Sequence, residues 1–459
     1  MSAAVSTSDR ARMLALLRRY GWNATSFQLL EPEFRDWFLD GDAAISYTET
    51  PGAWVVGGGP VCAPDRLAEV TRAFVAHARR NRRRVVFFGV EQRLLSATDL
   101  RALPIGSQAW WDPRRWPEVL ASRRSLREQI RRAKAKGVSV ESPDPALLEL
   151  PDGPLRREVG ELTRAWLGSR EMPPMVFLVA LAPFGFAGER RYFTARAGGR
   201  LVGLLVAVPV FGRNGWFFED LLRDPTAPNG TAELLVGSAM QAVAAEGSEY
   251  VTLGLAPLAG ATGPLELARR LLAGFYSFEG VRAFKAKLGP DGWDPIWLAV
   301  PRDANRWLAV VDSLDAFAGG SSLWFAIRAV LRAPAFLLRW MTVLAALWTA
   351  LLALPAAAPH FPSETVRWGW VAFDALVAGA LARLSRAWSN GVARVLAVLL
   401  SIDACLTFAQ AIRHNVPRAA GTVDWSLIAV GCVAPAVAAA IIRGGLVRRS
   451  GQTGIGERA

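Results

Sequence analysis

The hydrophobic positions of the chain follow different patterns before and after residue 335. The later part contains four apolar stretches, at roughly 335–357, 369–388, 393–412 and 424–442. Each is close to the ~20 residues that an α-helix needs to cross the hydrocarbon core of a bilayer. The pattern therefore predicts a bundle of about four transmembrane helices within residues 335–445, followed by a tail at 446–459.

Arginines gather before the first stretch, between the second and third, and after the fourth. The positive-inside rule then predicts that both termini lie in the cytoplasm. The N-terminal residues lack the apolar core of a secretory signal. We therefore expect a multi-pass protein of the inner (plasma) membrane with its preceding domains in the cytoplasm. Asp374 and Asp403 fall inside predicted spans, where they either hold the bundle together or serve an ion or a lipid headgroup.

Before residue 313, apolar residues alternate in short runs that are typical of strands, and helical patterns lie between them. Residues 43–64 predict two strands around a Pro-Gly turn, 64–84 a helix with one buried face, and the run after it a buried strand. A similar order recurs at 191–255. We therefore predict two mixed α/β (α+β) domains, at 1–120 and 121–312. Residues 313–334 are expected to form a linker and an amphipathic interfacial helix, which the pattern extends to 340.

Residues 122–140 predict a helix with one apolar and one basic face. Leu126, Ile130 and Ala133 form the apolar stripe, and the basic face consists of Arg123, Arg127, Arg131 and Lys134. Evenly spaced cations match the repeating charge of a nucleic acid backbone. The helix is therefore a candidate surface for contacting a nucleic acid backbone, although an ordinary solvated face gives the same pattern.

Composition limits the remaining chemistry. The 459 residues are 52% hydrophobic, with a mean hydropathy of +0.22 and a formal net charge of +13. A positive surface suits either an anionic membrane or a nucleic acid. The three cysteines, Cys62, Cys405 and Cys432, show no metal-ligand spacing, so we expect neither a metal site nor a disulfide framework.

Three motifs occur in close order in the second α/β domain. They are "EDLLRDPTAPNGTAELL" at 219–235, "VTLGLAPLAG" at 251–260 and "FYSFEGVRAFKAKLGPDGWDPIWLAVP" at 275–301. Together they resemble the catalytic domain of the phosphatidylglycerol lysyltransferase family. The resemblance implies a tandem pair of GNAT-like acyltransferase folds that move an aminoacyl group from aminoacyl-tRNA to a membrane phospholipid such as phosphatidylglycerol. In better-known members a flippase region precedes this domain. Here the apolar stretches follow it, so no flippase function is implied.

The resemblance also assigns roles to residues. It makes the basic face of the helix at 122–140 a candidate tRNA-binding surface. Asp220 and Arg223 match the family's Asp-x-x-Arg pattern. Asp220 is expected to hold the α-amine of the aminoacyl group or assist proton transfer, and Arg223 to bind a phosphate or the developing oxyanion. Glu219 would point to the opposite face of an extended strand, so at most one of these acids would face the substrate. The alternative is an Asp–Arg pair that only fixes the strand end.

The next segment predicts the start of a helix. Asn229 would cap free backbone amides, and Gly230, followed by Thr231, would let an anionic group approach them. Farther along, Arg282, Lys285 and Lys287 lie beside an apolar face and would neutralise a tRNA or lipid phosphate, with Lys285 counted as catalytic. A basic surface helix is the alternative for each of them.

The residues agree with direct transfer. An aminoacyl ester is already activated, so a lipid hydroxyl can attack it once a base accepts the proton. His77 and Cys62 are the only histidine and cysteine before the apolar region, and no G-x-S-x-G motif is present, which argues against a covalent intermediate. The Gly-rich loop of coenzyme A users is also absent, and no cofactor is expected. The alternatives are a GNAT-fold acyltransferase with another donor or acceptor (acyl-CoA, peptide, amine or sterol lipid), or an inactive lipid-binding scaffold.

Overall fold

The alternating and β-branched residues of the first part of the chain form one large mixed sheet. The computed structural model describes residues 7–170, 175–257, 278–322, 334–419 and 421–453. Within these ranges the sheet has 11 strands. They are β1 (Arg35–Phe38), β2 (Ala44–Glu49), β3 (Ala53–Gly57), β4 (Arg84–Val90), β5 (Arg101–Trp111), β6 (Val138–Glu141), β7 (Arg191–Ala197), β8 (Arg200–Val210), β9 (Gly215–Arg223), β10 (Tyr250–Pro257) and β11 (Gly292–Val300).

The strand order is β1-β2-β3-β4-β11-β5-β10-β9-β8-β7-β6. β3 pairs with β4 and β9 with β10 in parallel, and the other neighbours are antiparallel. β11 lies between β4 and β5, and β5 in turn pairs with β10. Strands from the predicted domains 1–120 and 121–312 therefore interleave in one continuous sheet. The mixed α/β fold is confirmed, and the boundary between two GNAT-like halves stays a prediction.

Helices cover both faces of the sheet. Apolar cores lie beneath them, including one around Phe27, Phe34 and Val86 and another around Trp111, Leu205 and Leu235. The helices are α1 (Thr7–Tyr20), α2 (Leu67–Arg80), α3 (Gln92–Ala97), α4 (Trp116–Ser122), α5 (Arg124–Ala135), α6 (Ala146–Glu149), α7 (Pro154–Gly168), α8 (Thr231–Ala245), α9 (Phe278–Lys287) and α10 (Arg306–Phe317).

The chain divides into two units, Met1–Phe325 and Ala326–Ala459. The second unit is helical, and its buried positions include Leu381, Leu396 and Leu400. Its helices are α11 (Pro334–Ala353), α12 (Glu364–Arg386), α13 (Asn390–Gln410) and α14 (Thr422–Thr453).

Only part of the predicted membrane region meets the criteria for spanning a bilayer. Among the described residues, two helical segments are long and apolar enough, Asn390–Arg418 and Asp424–Leu446, and most of their residues are not buried within the unit. Over the described positions, α11 contributes a shorter apolar helix, Leu337–Ala353, and α12 is not among the segments that meet both criteria, so a four-span bundle is not confirmed. Asp403 is buried and accepts a hydrogen bond from the Thr407 hydroxyl at 2.9 Å. Most of the predicted interfacial helix, at 323–333, lies outside the described residues.

Candidate functional site

A bulge in β9 arranges the two adjacent acids of the first motif. In the ladder with β8, Phe218 pairs with Ala207 and Asp220 with Val206, so Glu219 is an extra residue without a partner. Such a bulge re-aims the side chains around it. Glu219 and Asp220 therefore both interact with Arg190 instead of pointing to opposite faces. The predicted alternation of these two acids is wrong because the strand is not regular at this point.

Arg190 lies at the centre of a buried charge cluster. It precedes β7, is 1% exposed, and donates to Glu219 at 2.6 Å and to Glu31 at 2.9 Å. Its Nε atom donates to the Gly185 carbonyl at 2.7 Å. Burial raises the pKa of Glu31 to about 7, although Arg190 opposes the shift. One arginine thus holds together carboxylates from distant parts of the sequence.

Asp220 lies beside this cluster and has unused hydrogen-bonding capacity. It is 5% exposed, and within the described part of the chain its Oδ2 atom has no hydrogen-bond partner. Burial, with a further contribution from the Glu219 charge, raises the pKa of Asp220 well above its ordinary value. A buried polar atom without a partner is costly and calls for an explanation such as a bound group. The alternative of a simple Asp220–Arg223 pair is wrong.

A polar cavity lies on the other side of β9. Its volume is about 600 Å³, and its wall combines residues of α5, α7, β9, α8 and α9. Arg223 lines it and has no ion pair among the described residues, whereas Lys287 pairs with Glu233 at 2.6 Å. The full lining is Gln129, Trp166, Ser169, Arg170, Leu221, Arg223, Pro225, Asn229, Gly230, Ala232, Glu233, Phe284 and Lys287.

The N-terminus of α8 forms part of this wall. Gly230 is the N-cap residue, with a left-handed φ of +94°, and no described side chain caps the helix. The predicted cap by Asn229 is therefore wrong. The exposed Asn229 only lines the cavity, and the Thr231 hydroxyl donates to the Pro228 carbonyl at 2.7 Å. A Cβ atom at Gly230 would lie 2.1 Å from the Gln129 carbonyl oxygen, so this glycine is what lets α5 approach α8.

Lys285 extends from α9 to the point where β9 and β10 separate. These strands pair over only three residues, Gly215–Phe217 with Tyr250–Thr252. Beyond that point the Lys285 Nζ atom donates to the Gly254 and Leu255 carbonyls at 2.7 and 2.8 Å. Burial lowers the pKa of Lys285 to about 7. Lys285 is thus buried at the fork between the strands and is not among the residues that line the cavity.

The other predicted cations lie at the surface. Arg282 is exposed above the Trp293 ring, at 5.7 Å from its centroid. A helix with one basic face is present as α5, in which Leu126 and Ala133 are buried, but it is shorter than the predicted 122–140 because residues 138–140 belong to β6. Arg123, Arg131 and Lys134 are exposed, as is Arg127.

Two of these arginines already have partners in the protein. Arg127 donates to the Leu120 and Ala121 carbonyls, and Arg131 pairs with Glu128 at 2.8 Å. The contacts of Arg127 give it a structural function at the end of α4. The tRNA-binding assignment of this face stays a prediction.

Sequence reasoning missed several residues of the site. Arg190 and Glu31 carry no motif, and 159 positions separate them. Trp166 and Arg170 line the cavity, and the guanidinium of Arg170 lies 4.2 Å from the Trp166 ring centroid. The amphipathic pattern of α7 could have predicted the helix but not its proximity to β9. The motif at 251–260 is described only as far as Pro257.

Comparison with known proteins agrees with the predicted family. Residues 14–300 match the family model described as phosphatidylglycerol lysyltransferase, C-terminal. A C-terminal domain assigned to a lysylphosphatidylglycerol synthetase from Agrobacterium fabrum is 25% identical, with a TM-score of 0.59, over 68% of this chain and 98% of that one. L-PGS from Bacillus licheniformis shares the fold at 22% identity and a TM-score of 0.58, over 69% and 98%. No curated protein matches the chain. Because the family model covers more than half of its residues, the chain belongs to the phosphatidylglycerol lysyltransferase C-terminal domain family.

Proposed function

We propose that this protein transfers an aminoacyl group from aminoacyl-tRNA to phosphatidylglycerol at the cytosolic face of the inner membrane. The observation that carries the proposal is the cavity beside β9, in which Arg223, Lys287 and the uncapped start of α8 converge. Both substrates carry phosphates, and guanidinium groups and helix N-termini bind phosphates well. The family to which the chain belongs supports the lipid acceptor, and a lysyl group is the first donor to test.

The reaction needs little covalent chemistry from the protein. A glycerol hydroxyl oxygen of the lipid attacks the ester carbonyl carbon, the new ester bond forms, and the bond from that carbon to the ribose oxygen breaks. The hydroxyl proton is lost, and the ribose oxygen gains a proton. The protein has to hold the two substrates in line and transfer this proton.

Arg223 is the first candidate for positioning. It lines the cavity, and no carboxylate neutralises it within the described ranges. A free guanidinium offers paired donors to one phosphate or to the oxyanion that develops on the ester carbonyl. Lys287 is held by Glu233, so it would supply weaker electrostatic attraction at the same wall.

Lys285 is our candidate for proton transfer. A lysine whose pKa lies near 7 is partly neutral at physiological pH and can accept a proton. Its Nζ atom is held at the fork between β9 and β10 by two backbone carbonyls. Phe284 and Lys287 of the same helix line the cavity, and this closeness of α9 to the cavity supports the assignment of Lys285.

The buried acids are our candidates for binding the amine of the aminoacyl group. Asp220 has an unpartnered oxygen, and the single Arg190 faces Glu31 and Glu219 in the same cluster. An ammonium group would supply a hydrogen bond to this oxygen and would favour the ionised forms of Asp220 and Glu31. The separation of β9 and β10 beyond Phe217 supports a route between this cluster and the cavity.

The surroundings suit the two large partners. Three exposed cations, Arg123 just before α5 and Arg131 and Lys134 within it, continue from the cavity wall at Gln129 and would contact the tRNA backbone. The apolar segments Asn390–Arg418 and Asp424–Leu446 would anchor the protein in the bilayer, with α11 and α12 completing the bundle.

Lipid mass spectrometry tests this proposal in cells. Cells that lack other aminoacyl-lipid synthases would express the chain, its Arg223→Ala variant or the control variant Arg72→Ala. Arg72 is exposed on α2, the helix that leads into β4, and three strands separate β4 from β9 in the sheet. We expect a new aminoacylated lipid with the wild type and the control, and a strong reduction with Arg223→Ala. An unchanged lipid profile with folded, membrane-bound wild-type protein would overturn the proposal.

A further inference from the structure

Helix α10 exposes an apolar stripe. Trp307, Leu308, Val311 and Leu314 are each about half exposed, at 47–50% of their surface. The spacing i, i+1, i+4 and i+7 places them on one side of the helix. The opposite side, which includes Ala309, Asp312, Ser313 and Ala316, is buried. Surface helices normally bury their apolar stripe, so no element within the described ranges supplies the cover that the composition of this stripe requires.

The stripe continues onto a neighbouring loop. The Val176 backbone amide donates to the Phe317 carbonyl at 3.1 Å, which joins the loop to the end of α10. Val176 and Val179 are 37% and 44% exposed. We call these two residues and the four of the stripe the apolar patch. Contiguous exposed apolar surface of this kind marks an interaction site.

An arginine run contacts α10 and the residues just before it. Arg79 pairs with Asp303, just before α10, at 2.7 Å, and Arg84 pairs with the buried Asp312 of α10 at 2.6 Å. Between them, Arg80 and Arg82 are exposed and have no ion pair among the described residues. Arg82 has a left-handed φ of 55°, a conformation in which glycine would be less strained. The turn therefore carries a cation where a neutral glycine would fit better.

We propose that the apolar patch and its arginine run dock onto the surface of an anionic lipid bilayer. Aliphatic and tryptophan side chains enter the boundary between headgroups and acyl chains, while adjacent arginines attract anionic headgroups. A second copy of the chain would bring the same arginines into mutual repulsion. This docking surface is independent of the proposed transfer reaction.

Spin-label accessibility on the full chain tests the docking. A background with Cys405→Ser and Cys432→Ser keeps only the buried Cys62. A nitroxide would be attached at Val311→Cys in the apolar patch, or at Arg72→Cys as a control. Arg72 lies on α2, which covers the core formed with Trp54 and Phe87, whereas α10 packs on the core formed with Val55 and Val86. Each protein would be reconstituted into phosphatidylglycerol-containing vesicles and into pure phosphatidylcholine vesicles.

We expect the label at position 311 to be accessible to oxygen and protected from a water-soluble nickel chelate in phosphatidylglycerol vesicles, while the label at 72 stays accessible to the chelate. Changing Arg80 and Arg82 to Gln should weaken docking about fivefold per arginine. Changing Arg157 and Arg164, two exposed arginines of α7, should not. Equal chelate accessibility at 311 and 72 in both kinds of vesicle would overturn the proposal. Dipolar broadening between labels at 311 would identify a second copy as the occupant and would overturn it as well.

Discussion

Asp220 and Arg223 lie three residues apart on β9 and on opposite faces of the sheet. The ladder with β8 is regular from Val206–Asp220 to Gly203–Arg223, so side chains alternate over this interval. Asp220 is buried with Arg190, and Arg223 lines the cavity. The motif therefore serves two environments rather than one. Its acid and its arginine are expected to respond differently to substitution.

Replacement of Arg223 should affect the reaction and not the fold. Arg223→Ala removes from the cavity wall a guanidinium that has no ion pair with any described residue, and a charge-assisted hydrogen bond is worth about 2 to 3 kcal/mol. We expect kcat/KM to fall about 100-fold with little change in thermal stability. Arg223→Lys should recover part of the loss. Steady-state transfer kinetics and thermal unfolding of the same preparations check this, and a large drop in Tm with unchanged kcat/KM would contradict it.

Lys285 should impose a pH dependence. Because burial lowers its pKa to about 7, the unfolded chain binds one more proton than the folded protein between about pH 7 and 10. Lys285 therefore makes the free energy of unfolding increase as pH rises through that window. In Lys285→Met that contribution to the slope should be absent.

Activity provides a second readout of Lys285. If its neutral amine accepts the proton, kcat/KM of the wild type should rise with pH through about 7. Lys285→Arg keeps the charge but cannot lose the proton, so we expect low activity without this rise. A wild-type profile that is flat between pH 6 and 8 would contradict the assignment.

The carboxylates around Arg190 should change the free energy of unfolding with pH in the direction opposite to that of Lys285. Burial raises the pKa of Glu31 to about 7, so its folded form keeps a proton that the unfolded chain releases. The stability from this group is present below the ordinary pKa of a glutamate and is lost as pH rises towards 7. Glu31→Gln should reduce this fall in the free energy of unfolding. Denaturant titrations at several pH values measure it, and identical pH profiles for both proteins would contradict it.

Gly230 and Gly247, at the two ends of α8, form a matched pair. Both have positive φ angles, but a Cβ atom at Gly247 meets nothing within 4 Å, whereas one at Gly230 meets the Gln129 carbonyl. Gly247→Ala should cost about 1 to 2 kcal/mol from backbone strain alone. Gly230→Ala should cost about 1 to 3 kcal/mol more because α5 must move. Equal losses of stability for the two variants would argue against close packing of α5 on α8.

The basic face of α5 should be separable into binding and structural residues. Replacing Lys134 with Gln should reduce the slope of the logarithm of tRNA affinity against the logarithm of salt concentration by about 1. Arg127→Gln should instead lower stability, because Arg127 satisfies the Leu120 and Ala121 carbonyls. Filter binding over a salt series distinguishes the two, and an unchanged slope for Lys134→Gln would exclude this face.

Local patterns were enough to predict part of this molecule. The amphipathic periodicity of α2 and α5 and the alternation in β2 and β3 predicted mixed α/β structure, and three motifs predicted the family. Those features depend on neighbours in sequence. The order of β11 between β4 and β5 does not, because it joins segments about two hundred residues apart.

The site was harder to predict for the same reason. The bulge at Glu219 changes which way the acids point, and no local pattern distinguishes it from a regular strand. Gly230 was expected to let an anionic group approach the start of α8, and that stays a prediction. The group that lies against Gly230 in the structure is the Gln129 carbonyl of α5. The buried ion pairs of Arg190 depend on tertiary packing, since Glu31 belongs to a distant segment.

The most direct test is transfer by the purified full-length protein in vesicles that contain phosphatidylglycerol. Transfer RNA charged with a radiolabelled amino acid, lysine first, would be added with and without ribonuclease, and label in the lipid fraction would be counted. We predict that label enters phosphatidylglycerol with the wild type and with Arg72→Ala, that ribonuclease pretreatment abolishes this, and that Arg223→Ala reduces it about 100-fold. Folded protein that labels no lipid from any charged tRNA, or Arg223→Ala that transfers as fast as the wild type, would contradict the account.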